Sequence, residues 1–129
     1  MEIKSLVDQA IKMTERSYAP YSHFNVGAAV LTEDGSVYTG CNIESASYPA
    51  GICAERTAMA KALSEGHRKF KKIVVAARNE EGEQPAAPCG ICRQFIFEFG
   101  DDIEITFGHD RDHLQSMTIA DLLPEGFRL

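Results

Sequence analysis

Apolar and polar positions change period along the chain, and the period marks the elements. Ile3, Leu6, Val7, Ala10 and Ile11 recur at helical spacing, so residues 2–16 read as an amphipathic helix with one buried stripe. Tyr18-Ala19-Pro20-Tyr21-Ser22 breaks it, because Pro20 biases the residue before it away from helix. Residues 25–32 are rich in Val and Ala and form a strand that turns at Asp34-Gly35. Residues 36–43 return as the second strand, and 44–52, with Pro49 and Gly51, read as loop. A second helix covers about 54–65 and stops at Gly66. The short apolar run 72–77 reads as a buried strand and 79–88 as a polar loop with two prolines. A third helix spans about 90–99, with Ile91, Phe95 and Phe99 on one stripe, and Gly100 ends it. Residues 103–107 alternate and form a strand. A further short strand at 114–118 and a helical turn at 118–123 close the pattern before Pro124.

The first two strands make an antiparallel hairpin. The strand–helix–strand unit over 72–107 makes a parallel pair with a right-handed crossover. Together they predict an α/β fold, a mixed sheet with helices on both faces. No repeat or linker interrupts it, so 1–129 reads as a single domain.

Composition narrows the function. Hydrophobic residues are 44% and charged residues 25%, which excludes a disordered chain. The charge is 13 − 19 = −6 with no basic run, which argues against nucleic acid polymers and anionic membranes as partners. No run of about 18 apolar residues exists to span a membrane. The start, Met1-Glu2-Ile3-Lys4, does not read as a signal peptide, so the expectation is a mature chain that begins at Met1 and a cytoplasmic location. In that setting Cys41, Cys53, Cys89 and Cys92 suit metal binding or catalysis better than disulfides.

Cys89-Gly90-Ile91-Cys92 is C-x-x-C at the start of a helix. Three steps of about 100° bring both sulfurs near one face. Alone, the motif fits a zinc half-site or a redox pair equally. Cys53-Ala54-Glu55-Arg56 opens the second helix and shifts the balance to zinc. Three thiolates without a fourth protein ligand make an open catalytic site. Cys41 would close it, but strand alternation sets Cys41 and Ile43 opposite Asn42 and Glu44, so Cys41 reads as a buried structural residue. Zinc at +2 with three thiolates leaves −1. Arg56 and two helix N-termini are the expected compensation.

C-A-E-R at 53–56 followed by P-C-x-x-C-R-Q at 88–94 resembles the zinc-dependent nucleobase deaminases. Tyr21-Ser22-x-Phe24-x-Val26-Gly27-Ala28-Ala29 and Gly40-Cys41-Asn42-Ile43-Glu44 are similar to the cytidine deaminases of the short, homotetrameric type. The likeness extends to Leu122-Leu123-Pro124. Ser47 and Ala50, in the loop 45–52, stand where that family often carries other residues. The resemblance implies a three-layer α-β-α sandwich around a five-stranded mixed sheet. It implies hydrolytic deamination of cytidine and deoxycytidine to uridine and deoxyuridine in pyrimidine salvage. Zn2+ would be held by Cys53, Cys89 and Cys92, with Glu55 as the proton shuttle. Asn42 and Glu44 would hold the ribose hydroxyls, Phe24 would pack on the base, and Ala54 would complete the nucleoside site. The active sites would lie at subunit interfaces of a homotetramer.

The chemistry agrees with this. Attack at C4 of cytosine needs a water activated at neutral pH and one carboxylate to move its protons. The negative charge of Glu44 disfavours a phosphorylated substrate. A deaminase of the blasticidin-S type shares the cysteine and glutamate pattern, but Asn-x-Glu favours ribose. A non-catalytic zinc-stabilised module would need Cys41 as fourth ligand and would not need Glu55.

Overall fold

Helix α1 (Ile3–Met13) lays Leu6, Val7 and Ala10 on Ala29, Leu31 and Val74 of the sheet. The structure, a computed structural model, describes residues 2–129, so Met1, the expected chain start, lies outside it. Strands β1 (Asn25–Thr32) and β2 (Val37–Cys41) pair antiparallel, with Gly27 opposite Cys41 and Leu31 opposite Val37. Gly35 turns the hairpin at φ 95°, a conformation that glycine adopts without a Cβ penalty. β3 (Phe70–Asn79) runs antiparallel to β1, and a short β4 (Gly82–Gln84) folds back on its end. β5 (Glu104–Gly108) is parallel to β3, and β6 (Leu114–Thr118) returns antiparallel. The sheet order is β2-β1-β3-β5-β6.

Alternation along β1 assigns the faces. Ala29 and Leu31 meet α1, while Ala28 and Val30 join the larger cluster on the other side. That cluster includes Ile73, Val75, Ile105 and Phe107 from the sheet. It also includes residues of α2 (Ala54–Ser64), α3 (Gly90–Phe97) and α4 (Ile119–Leu122). One helix on one face and three on the other make the three-layer α-β-α sandwich.

α2 approaches the sheet at Gly40. A Cβ there would lie 2.5 Å from the Ala58 nitrogen and 2.7 Å from the Ala54 oxygen. The helix answers with Ala54, Ala58 and Ala62, small residues one turn apart. The start of α2 is thereby set directly over β2.

Four details differ from the sequence reading. The polar stretch 79–88 contains β4, so the sheet has six strands, five of them on the main path. β2 ends at Cys41, and Ile43 instead bridges Tyr18 and Ile52. α3 ends at Phe97 rather than near 99. It buries Cys92 and Ile96, while Ile91 is 66% exposed. The two stripes of α3 are one residue out of phase, and only contact with the neighbouring layer selects between them. Phe95 and Phe99 remain half-buried and pack edge to face, 5.8 Å between centroids.

Candidate metal centre and substrate face

The starts of α2 and α3 converge. Cys53 occupies the N-cap position of α2, Cys89 that of α3, and Cys92 lies in the first turn of α3. Their three sulfurs lie within 4.8 Å of one another. The Cys53 and Cys89 sulfurs are 3.7 Å apart. Sulfurs bound tetrahedrally to one zinc at about 2.3 Å would be roughly 3.8 Å apart, so the spacing fits the ion. Among the described residues this is the one group of three or more candidate ligands. Both helix N-termini favour thiolate there. The Cys92 thiol bonded to it, with Arg56 and Cys89 alongside, holds Cys53 down to about 5. The same bond to Cys53, followed by burial, pushes the Cys92 thiol up.

Cys41 stands apart from the cluster. It is buried and its thiol donates to the Arg16 carbonyl over 3.4 Å. A closed four-cysteine site is not what the fold builds.

Glu55 follows Cys53 by two residues and is only 3% exposed. Burial, with the negative Cys53 nearby adding to it, pushes its carboxyl up to about 7. Arg56 Nη2 lies 3.7 Å from the Cys53 sulfur. Its Nε is buried with no hydrogen-bond partner among the described residues. The guanidinium thus lies against the cysteine cluster, where its charge favours thiolate.

Asn42, Glu44 and Phe24 form a second group, tied to the first through the backbone. Ile43 and Ile52 exchange two hydrogen bonds of 3.0 and 2.9 Å, and Ile52 immediately precedes Cys53. The Asn42 side chain braces the start of β1. Its Oδ1 accepts from the Val26 N–H at 2.9 Å and from the Ser17 hydroxyl, and its Nδ2 donates to the Phe24 carbonyl at 2.9 Å. Glu44 Oε1 accepts from the Tyr21 and Ser22 N–H groups at 2.9 and 3.1 Å, and Oε2 accepts from the Ser22 hydroxyl at 2.5 Å. These bonds hold the Glu44 carboxyl below its usual range, the Ser22 hydroxyl contributing most. Phe24 is half-buried against the same core cluster as Cys53. Ala54 is fully buried in that core at the start of α2. Sequence reasoning passed over Ser17 and Ser22, whose hydroxyls brace Asn42 and Glu44. A serine two residues before Phe24 is the one local signal, since serine hydroxyls commonly capture the N–H two residues on.

Comparison with known proteins identifies this arrangement. A family model described as the cytidine and deoxycytidylate deaminase zinc-binding region matches residues 1–108. The cytidine deaminase of Sporosarcina psychrophila is 44% identical over 128 residues, 98% of this chain and 92% of its own. A probable cytidine deaminase of Dictyostelium discoideum is 45% identical over 117 residues, covering 91% of this chain and 78% of its own. The crystal structure of the cytidine deaminase of Burkholderia pseudomallei superposes with a TM-score of 0.90 at 42% identity, covering 98% of this chain and 100% of its own. With relatives matching along nearly its whole length, and three cysteines gathered where two helices begin, the chain belongs to the cytidine and deoxycytidylate deaminase zinc-binding family.

Proposed function

We propose that this chain hydrolyses cytidine and deoxycytidine to uridine and deoxyuridine, releasing ammonia, as a step of pyrimidine salvage. The observation that carries the reading is a buried glutamate two residues from a three-cysteine metal site. Cys53, Cys89 and Cys92 would hold zinc. When bound there, zinc supplies the Lewis acidity that makes water a nucleophile near neutral pH. Glu55, with its carboxyl near 7, can both take and return protons. It takes one from the attacking water and gives it to N3 of the ring. It then takes the proton of the new hydroxyl at C4 and gives it to the departing amine, which leaves as ammonia.

Arg56 offsets the charge of the thiolates. Glu44 and Asn42 face the sugar, Phe24 the base, and Ala54 at the start of α2 completes the site. Glu44 is acceptor-only when ionised, so it suits a sugar hydroxyl and repels a phosphate. The decisive test follows the ultraviolet absorbance of cytidine with zinc-loaded protein, with and without a chelator. Loss of cytidine that the chelator abolishes supports the reading. Cytidine left intact while a cytosine-nucleoside antibiotic is consumed would move the chain to the blasticidin-S type.

Assembly belongs to the same proposal. Tyr18, Tyr21, Ile43 and Tyr48 are exposed around Glu44, with Tyr48 at 79%. An aromatic patch of this kind beside a site supports a homotetramer whose active sites are completed by neighbours. Scattering mass in solution tests it. One sheet drawing strands from residues 25–118 supports a single domain over 1–129. No helix of the described residues is long and apolar enough to cross a membrane. Three free thiols gathered for a metal support a reducing, cytoplasmic setting.

A further inference from the structure

We infer that Ser22 is a positioning residue for nucleoside binding: its hydroxyl aims the Glu44 carboxylate at the sugar. The inference rests on the reading of Glu44 as a sugar contact. Glu44 lies three residues beyond the end of β2, next to Ile43, which is 44% exposed. A free glutamate in such a place samples many rotamers. Here three donors from one short loop hold it, the N–H groups of Tyr21 and Ser22 on Oε1 and the Ser22 hydroxyl on Oε2. The two backbone donors share a single oxygen and leave the carboxylate free to swing about it. The hydroxyl on the second oxygen removes that freedom.

The direction of the hydroxyl is itself set. The Phe24 N–H donates to Ser22 Oγ at 3.0 Å, which occupies a lone pair and leaves the hydroxyl proton for Glu44. That geometry requires the chain to fold back between residues 22 and 24. His23, between them, has φ 57°, a left-handed conformation uncommon outside glycine. Its N–H is bonded to the Ala19 carbonyl at 3.0 Å, which holds the kink. The Phe24 carbonyl is held in turn by Asn42 Nδ2. The Phe24 bond thus aims the Ser22 hydroxyl at Glu44, and the Asn42 bond fixes the Phe24 backbone that makes it. The carboxylate has about four acceptor positions, and three are taken, which leaves Oε2 one direction for a ligand hydroxyl.

Kinetics of Ser22→Ala, Ser22→Thr, Glu44→Ala and the Ser22→Ala/Glu44→Ala pair test this, with cytidine as substrate and melting temperature as the control for folding. Ser22→Ala should raise KM about tenfold, the scale of one hydrogen bond to a charged group. It should leave kcat within about twofold, since Ser22 is not asked to act in the chemical step. Ser22→Thr, which keeps the hydroxyl, should restore KM. In the double variant KM should equal that of Glu44→Ala alone, because Ser22 acts through Glu44. Additive effects, or a Ser22→Ala change in kcat with KM intact, would overturn the positioning role. Normal KM in Ser22→Ala beside a raised KM in Glu44→Ala would overturn it too, while keeping Glu44 as a contact. Normal KM in Glu44→Ala would instead remove the sugar contact on which the inference stands. Ser22→Cys, of nearly the same size but a weak donor, gives the same decision if the alanine variant does not fold, and it should behave as the alanine variant is expected to.

Discussion

Glu55 and Glu44 are two carboxylates of one candidate site, and the fold moves their acidities in opposite directions. Glu55 lies beneath the surface at the first turn of α2, and burial lifts its carboxyl to about 7. Glu44 lies at the rim and accepts three hydrogen bonds, which hold its carboxyl below the ordinary 4.5. Desolvation penalises the charged form, and donated hydrogen bonds favour it. The same functional group is thus readily protonated near neutral pH in one place and held as a charged acceptor in the other. The regions around them differ likewise. The metal end is built from two helix starts packed on the sheet core. The sugar end is built from crossing loops and is held by side-chain hydrogen bonds.

The largest effect expected of this division is at the metal end. Cys53→Ala should take zinc content from one per chain towards none and abolish turnover, whereas Cys41→Ser should retain both. Metal analysis of the two variants decides it. Zinc kept by the first and lost by the second would put Cys41 in the site. Next in size is Glu55→Gln, which should keep zinc and melting temperature but lower kcat by about 10²–10⁴-fold, the range for general acid–base assistance. A rate above roughly a tenth of wild type would take Glu55 out of the proton path, given that range.

Arg56→Ala should have a smaller effect, lowering kcat by about tenfold and raising KM less, as expected for losing one charged hydrogen bond at the thiolates. Steady-state parameters that overlay wild type would leave the helix N-termini as the compensation for the thiolates. The smallest effect concerns pH at the rim. A carboxyl with a depressed folded pKa contributes stability that is full above its unfolded value, here 4.5, and is lost as pH falls through the folded value. Wild type should therefore lose melting temperature on acidification below about 4.5, and Glu44→Gln should lose less over the same range. Glu44 is solvent-accessible, so screening keeps this difference small. Identical acid limbs would show that the three hydrogen bonds do not favour the charged form.

Much of this molecule was legible before folding. The strand at 25–32 and its Asp34-Gly35 turn follow from local chemistry, as does the end of α2 near Gly66, where φ is 101°. The metal end was legible too, because each cysteine motif opens a helix and a helix start is a local feature. Strand alternation predicts that Cys41 is set apart from the other three, but β2 ends at Cys41 and Ile43 is exposed; Cys41 stands apart because it is buried against the Arg16 carbonyl. The sequence alone thus brought forward Cys53, Cys89 and Cys92, the three cysteines that the fold gathers.

Tertiary structure decided how they are held. The stripe of α3 could be placed only by contact with the core, since periodicity is satisfied by either of two registers. β4 exists because its short polar segment finds the edge of β3, an event no local propensity dictates. The bracing of Glu44 by Ser22, and of Asn42 by Ser17, joins residues 22 and 25 positions apart in the chain. Hydrogen bonds between such distant groups have no signature in composition or period. In the fold, Ile43 bridges both Tyr18 and Ile52 and so brings these loops together. Local chemistry sets the elements and the identities of reactive side chains. Their orientation depends on which partners the folded chain brings within hydrogen-bonding reach.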